Sequence, residues 1–396
     1  MLIGMTKGMF NTIKRFISCL IVGSSMVGAT AYADPASKPN EEQERPSVLI
    51  IQPTDAVTDA LWYESMDMHI KYSARDLNMD VEHFFAGDDR TKISANVIAK
   101  IKKGDKPDYL VFSNQIGMGV GLLMICEDLD IKCFMHGSPL IEEDVEEYGG
   151  PRQRFQNWIG QIIPDDEQAG YDLANALIAQ ARGIKKENND NTPIRVIGIT
   201  GTYSTPASVN RTNGLLRAVA SYQDVELLQI VSARWVREVA ANKFELLTAR
   251  YGGSDVVWLA NNEMALGVLE RAQSLADIPK IGGFDWVPPA IDALQLGSLS
   301  TAIGGHEIDI AYVLNLLRLH HDGEDFMTQT GTTSLHSRLI PLTPDSVNEY
   351  SIFLDKLDKG EVNYQKGFSC LVQDKKAFSD ISMEDFMSCI SFEEKL

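Results

Sequence analysis

The chain has 396 residues, with 36 Lys and Arg against 55 Asp and Glu and a formal net charge of −19. A surface this acidic repels nucleic-acid phosphate and anionic lipid, which excludes both as expected partners. The remaining composition is that of a globular protein long enough for two domains, each with its own core.

At the N-terminus Lys7, Lys14 and Arg15 lead into FISCLIVGSSMVGATAYA, which ends in the small-x-small pattern Ala31-Tyr32-Ala33 before Asp34. The pattern predicts a cleavable export signal over residues 1–33 and a periplasmic mature protein. A membrane anchor fits less well, because Gly and Ser interrupt a stretch that is already short. Cys19 as a lipoprotein site is the weaker alternative, since few apolar residues precede it. Cleavage leaves 33 basic against 55 acidic residues, a net charge of −22.

Residues 34–46, polar and proline-containing, read as a mobile leader. From Ser47 short apolar strands alternate with amphipathic helices. VLIIQ (48–52) reads as a buried strand, and Tyr63, Met66, Ile70, Ala74 and Leu77 recur at helical spacing. A strand at 81–85, a helix at 91–102, a strand at 108–113, a helix near 117–128 and a strand at 131–135 follow. Residues 138–157, with the Gly149-Gly150-Pro151 break, read as a linker. IGQII then runs to Pro164, and a helix opens at the acidic Asp165-Asp166-Glu167, as a helix dipole favours.

The alternation then resumes after a solvated loop at 185–193. Strands are expected at 195–200, 226–231, 256–260 and 280–284, with helices from about 206, near 236–250, and through Met264, Val268, Ala272 and Leu275. Strands separated regularly by helices imply parallel sheets covered on both faces. The expected fold is therefore α/β, two doubly wound parallel-sheet lobes joined by a hinge. The N-terminal lobe is expected over 47–157 plus about 286–322 and the C-terminal lobe over 158–285. Residues 323–396 form an extension whose lobe is left open, with a helix signal near 345–357.

Four cysteines follow the signal: Cys126, Cys133, Cys370 and Cys389. They allow three pairing schemes in an oxidising compartment. Cys370 and Cys389 share the C-terminal segment and are the favoured pair; four buried free thiols are the alternative. No Cys/His spacing suggests zinc. The phosphate-loop, dinucleotide and nucleophile-elbow patterns are missing from the sequence, so neither enzyme chemistry, cofactor nor metal is expected.

Several segments together resemble the ribose-binding and galactose-binding family of type I periplasmic binding proteins. VVWLANNEMALGVLERAQ (256–273) resembles that family's strand, Asn and following helix. PKIGGFDWVPPAIDALQLGSLSTAIGGH (279–306) resembles its Gly-Phe-Asp segment and last hinge strand. RVIGITGTYSTPASVNRTNGLLRAV (195–219) and WIGQIIPDDEQAGYDLANAL (158–177) resemble its Arg-bearing helix start and its crossover. The resemblance spans about 48–320; the long tail and the Gly-Gly-His turn are similar to sensor-type relatives such as the receptor for the furanosyl autoinducer. It implies a small polar, sugar-like ligand held in a closing cleft. The implied partner is an inner-membrane ABC permease or, alternatively, a sensor kinase or cyclase. A monomer is expected, and an exported enzyme is the remaining alternative.

In doubly wound sheets ligands sit beyond the carboxyl ends of the strands, where every candidate lies. Trp62, opening the helix after the first strand, offers a flat face for a ring's C–H surface, and Trp235 offers a second from the other lobe; core packing is the alternative for both. Arg211 supplies a planar fork of donors, or else a surface ion pair. Asn261 offers donor and acceptor together, unless it caps its helix. Asp285 can accept from two neighbouring hydroxyls, or else simply form a turn. Ser113 and Asn114 are polar strand-end candidates. His306 faces the ligand or packs at the hinge, the second being favoured. Where ribose binders show Asp-Arg after the fourth strand, this chain reads Met135-His136-Gly137-Ser138, and Gly304-Gly305-His306 stands in place of the hinge Gln, so a polyol held by those missing groups is not bound identically. His320-His321, late in a helix beside Asp322, read as a solvated helix end rather than a metal site.

Overall fold

A computed structural model describes residues 44–52, 60–87, 89–115, 117–373 and 380–390. The expected signal over 1–33 and residues 34–43 of the leader lie outside the described residues.

The first half alternates β1 (Ser47–Gln52), α1 (Ala60–Asp76), β2 (Asp80–Phe85), α2 (Arg90–Lys103), β3 (Tyr109–Phe112), α3 (Gly119–Leu129), β4 (Lys132–His136), α4 (Glu142–Tyr148) and β5 (Trp158–Pro164). The second half repeats the pattern with α5 (Asp166–Glu187), β6 (Ile194–Thr200), α6 (Pro206–Ala220), β7 (Val225–Ser232), α7 (Arg237–Tyr251), β8 (Val256–Leu259), α8 (Asn262–Ala272), β9 (Lys280–Phe284), α9 (Pro288–Gln295) and β10 (Thr301–Gly304). A 3₁₀ turn (His306–Ile308) leads into α10 (Asp309–His321). The tail holds α11 (Met327–Thr330), β11 (Ser334–Ser337), β12 (Ile340–Leu342), α12 (Val347–Asp358), α13 (Tyr364–Gln373), β13 (Asp380–Ile381) and α14 (Met383–Ile390). The segment read as a linker thus contains one short helix, α4.

Two sheets result, ordered β13-β11-β5-β4-β3-β1-β2 and β12-β10-β9-β8-β6-β7. Their pairings are parallel except that β12 runs antiparallel to β10. Central strands read as continuous apolar runs because helices cover both faces: IRVIGIT of β6 is buried along nearly its whole length. Edge strand β2, DVEHFF, alternates exposed and half-buried positions instead.

Sheet membership moves both expected lobe boundaries. Trp158–Pro164, expected to open the second lobe, is β5 and pairs between β4 and β11 in the first sheet, so the crossover follows Pro164. β10, expected in the first lobe, pairs with β9 in the second sheet, so the return follows Gly304. An apolar run marks a strand, but crossover geometry rather than composition selects the sheet it joins.

The tail joins both lobes. β11 and β13 extend the first sheet while β12 extends the second, so the chain crosses again between Ser337 and Ile340. The crossings are tied together: Asp165 N donates to the Ser337 carbonyl at 3.0 Å, and Ser337 Oγ donates to Asp309 Oδ2 at 2.5 Å. Helix α12 lies against α9 of the second lobe and α1 of the first. Tyr350 packs on Trp286 with ring centroids 4.5 Å apart, and Tyr364 Oη meets His69 Nδ1 at 2.6 Å. Cys370 and Cys389 form the favoured disulfide, linking α13 to α14, while Cys126 and Cys133 are buried free thiols. The solvated end expected for α10 is modified at His320, which is half-buried and meets Tyr109 Oη at 2.8 Å.

Candidate functional site

Strand ends of both sheets converge on one cleft of about 340 Å³. Trp62, Ser113, Asn114, Arg211, Trp235, Asn261, Asp285 and His306 all line it. The sequence reading left out other lining residues, among them Gln52, Tyr63, Gln115, His136, Thr202 and Arg234. Gln52 and His136 are the last residues of β1 and β4, so the strand-end rule applied without a family pattern points to both.

Arg211 is placed by an unusually close helix crossing. A Cβ on Gly170 of α5 would lie 2.1 Å from the Arg211 carbonyl oxygen, and one on Gly214 of α6 would lie 2.1 Å from the Glu167 carbonyl oxygen. Glycine at both positions therefore lets the two backbones touch. The crossing delivers the Arg211 Nε to Asp166 Oδ1 at 2.7 Å, while Nη1 donates to the Ala260 carbonyl at 2.7 Å. The guanidinium stacks over Phe284 at 4.2 Å. Arg211 is only 6% exposed. The surface ion pair considered for this residue is thus a buried one, and Asp166 rather than solvent balances its charge.

Asp285 follows β9 with φ +77°, a left-handed conformation that Asp tolerates better than most residues. Its Oδ1 stands 3.7 Å from Arg211 Nη1 and 3.4 Å from His306 Nε2. Its carbonyl accepts from Asn262 Nδ2 at 2.6 Å. His306 Nε2 also lies 3.2 Å from Arg211 Nη2, so it serves the carboxylate when protonated and the guanidinium when neutral. Burial pulls the His306 pKa down, but the Asp285 carboxylate and the nearby Glu307 charge outweigh burial and leave it raised. His306 is buried at the hinge and also lines the cleft, which unites the two placements considered for it.

Asn261 performs its alternative role, since its Oδ1 accepts from Met264 N at 3.0 Å and caps α8. Asn114 is likewise engaged, accepting from Gly119 N at 2.9 Å and donating to the Pro139 carbonyl at 2.7 Å. These amides shape the wall by fixing loops. His136, whose imidazole burial pushes down to about 4 with help from His83 and His306, contributes a neutral ring.

On the second lobe, Arg234 and Trp235 are consecutive left-handed residues, with φ +57° and +68°. Such conformations cost roughly 1–3 kcal/mol each and persist where the surroundings enforce them. Here the Trp235 indole Nε1 donates to Thr202 Oγ1 at 3.1 Å, and the ring covers Gly201 so closely that a Cβ there would sit 2.2 Å from it.

Asp285, His306 and Glu307 bring ligand atoms within 4.8 Å of one another, a spacing that would suit a cation. The donor set does not fit one. Glu307 Oε1 accepts from Trp286 N and Oε2 from Gly305 N at 2.7 Å, and the Arg211 guanidinium stands beside the group. The cluster fixes the hinge turn.

Residues 159–323 match the family model described as periplasmic binding protein domain. The chain is 25% identical over 175 residues to the xylitol-binding protein of Mycolicibacterium smegmatis, covering 43% of this chain and 47% of that protein. It is 29% identical over 141 residues to the ribose import binding protein RbsB of Haemophilus influenzae, covering 36% and 45%. It therefore spans about half the length of these curated relatives. A periplasmic sugar-binding protein from Pseudomonas fluorescens superimposes with a TM-score of 0.69 at 27% identity, over 81% of this chain and 93% of that one. A periplasmic solute-binding protein of an ABC transporter from Actinobacillus succinogenes, solved with D-allose, shares the fold with a TM-score of 0.64 at 18% identity, over 77% and 100%. The chain thus carries a periplasmic binding protein domain on the two-lobed type I fold that sugar-binding periplasmic proteins share.

Proposed function

We propose that this protein is an exported, non-catalytic receptor that closes two lobes over one small polar, sugar-like ligand. The observation that carries the reading is the convergence of strand-end side chains from both sheets on one cleft. Trp62 from the first lobe and Trp235 from the second supply flat apolar faces, while Arg211, Asp285 and His306 supply polar edges near the hinge. A ligand touching both walls is fully contacted only when the lobes are shut, so binding shifts the protein toward the closed state. An ABC permease that recognises the closed form is the partner we assign. The relatives support this assignment: one is a ribose import protein and another an ABC-transporter component. Arg211, Asp166 and Asp285 pair with one another instead of aligning a base on a nucleophile, which favours binding over catalysis.

A sensory role is the second reading, favoured by the tail. Helix α12 contacts both lobes beside the hinge, so a membrane receptor bound there would experience the hinge angle directly.

Calorimetry against a panel of pentoses, hexoses and polyols tests the binding claim. One member is expected to bind, with affinity reduced at least tenfold in Trp62→Ala and in Asp285→Asn. Turnover of a panel member, or unchanged affinity in both variants, would overturn the reading.

A further inference from the structure

Arg211, Asp285 and His306 compensate one another within the cleft, and Asp166 takes the remaining hydrogen bond of the Arg211 Nε. Arg234 differs from them. It lines the same cleft, is exposed, and its guanidinium makes no ion pair or hydrogen bond with any described residue. Among the described residues that line the cleft from lobe 1 are amides, hydroxyls, aromatics, Met66 and His136, but no carboxylate. Its position is enforced. Arg234 and Trp235 share a left-handed backbone pair, and Trp235 is anchored over Gly201 and hydrogen-bonded to Thr202. A strained pair of large residues held at a cleft wall is the kind of outlier from which a functional role is inferred.

Closure of the lobes removes water from Arg234, and an isolated cation losing water is costly unless an anion meets it. We propose that the cleft takes an acidic sugar, a monosaccharide or polyol carrying one carboxylate or phosphate group, with that anionic group paired to Arg234. The inference rests on the sugar-receptor reading and names the ligand class of the same site. The hydroxyls lie toward Asp285 and Trp62, and the acidic substituent lies toward the loop that follows β7. The planar guanidinium fork suits either a carboxylate or a phosphate, both of which accept two parallel N–H bonds.

Matched pairs separate the two levels of the argument. Calorimetry at low ionic strength compares D-galactose with D-galacturonate, D-glucose with D-glucuronate, and D-ribose with D-ribose 5-phosphate, in the full chain and in Arg234→Gln and Arg234→Lys. At least one acidic member is expected to bind ten times or more tighter than its neutral partner. Arg234→Gln is expected to erase that preference, so that the acidic member binds no tighter than its neutral partner, and Arg234→Lys to retain part of it. The carboxylate and phosphate arms identify which anion is preferred. A neutral sugar bound as tightly as its acid overturns this inference and leaves the receptor reading standing. Binding of no member in either series sinks both. A preference for the acidic member that survives in Arg234→Gln, measured on a variant whose Tm is unchanged, would place the anionic group elsewhere and overturn the assignment to Arg234.

Discussion

The Trp62 indole and the His306 imidazole are stacked, with ring centroids 4.7 Å apart and planes 26° from parallel. This contact joins the first helix of lobe 1 to the turn at which the chain leaves lobe 2, so a side chain proposed to touch ligand also touches the hinge. Trp62→Ala is expected to weaken sugar binding about tenfold or more while lowering stability by only about 1 kcal/mol, because the indole is half-buried. Calorimetry and thermal unfolding of the same preparation check the split. A loss of stability large enough to explain the loss of binding would assign Trp62 to the core.

Arg211 and Asp285 should part company on mutation. Arg211→Ala leaves the buried Asp166 carboxylate unpaired, which typically costs about 3–5 kcal/mol. Asp285→Asn retains a residue that tolerates φ +77° and should keep the fold while losing affinity. Chemical denaturation measures the first and calorimetry the second. Asp166→Asn combined with Arg211→Ala is expected to recover part of the lost stability, and strict additivity would argue against the pair.

Gly201→Ala places a Cβ 2.2 Å from the Trp235 ring. The ring must swing away from its hydrogen bond with Thr202, and since it stands on a cleft wall the expected result is an affinity loss of about tenfold with a modest fall in Tm. Intrinsic tryptophan fluorescence of the variant should shift; an unchanged spectrum with unchanged affinity would contradict the packing described.

Stability should fall on acidification. Burial pushes the His69 pKa down to about 3 and that of His136 to about 4. Unfolded histidine takes up its proton near pH 6.5, so below that value the unfolded chain binds more protons than the folded one. The contribution of each residue is complete above about pH 6.5 and is lost as pH falls toward its folded value. Asp309 opposes them: burial raises its carboxyl to about 7, so its contribution is lost as pH rises from the ordinary carboxylate range to neutrality. His69→Gln is expected to flatten the acid limb of a stability–pH profile measured by denaturant titration. An equally steep limb in that variant would place the proton uptake elsewhere.

Reduction of the Cys370–Cys389 bond should destabilise the tail selectively. The bond closes a segment of 19 residues, for which chain entropy gives about 3 kcal/mol. α13 packs on α1 and α10. Hydrogen exchange in Cys370→Ser is expected to rise first in 364–373 and 380–390, ahead of the second-lobe sheet, and uniform loosening of both sheets would show the tail to be more deeply integrated than its contacts indicate.

Much of this molecule was legible in one dimension. Apolar runs and helical spacing are local properties, and they located the strands at 48–52, 195–200 and 280–284 together with the helices between them. A strand's end is a sequence position, so the rule that sites gather at strand ends led from Trp62, Arg211 and Asp285 to a single cleft. What tertiary structure alone decided were the non-local matters. Trp158–Pro164 and Thr301–Gly304 are strands by composition, but hydrogen bonding assigned each to the sheet opposite the expected one. Arg211 was visible as a cation, whereas its compensation by Asp166 across a glycine-lined helix crossing was not. The tail is attached to lobe 2 through partners some tens of residues apart, such as Ala302 and Leu342, but to lobe 1 in part through very distant ones, such as His69 and Tyr364, separated by 295 positions. Periodicity reports which face of an element is buried; only packing determines what that face meets and which charges are left for a ligand to satisfy.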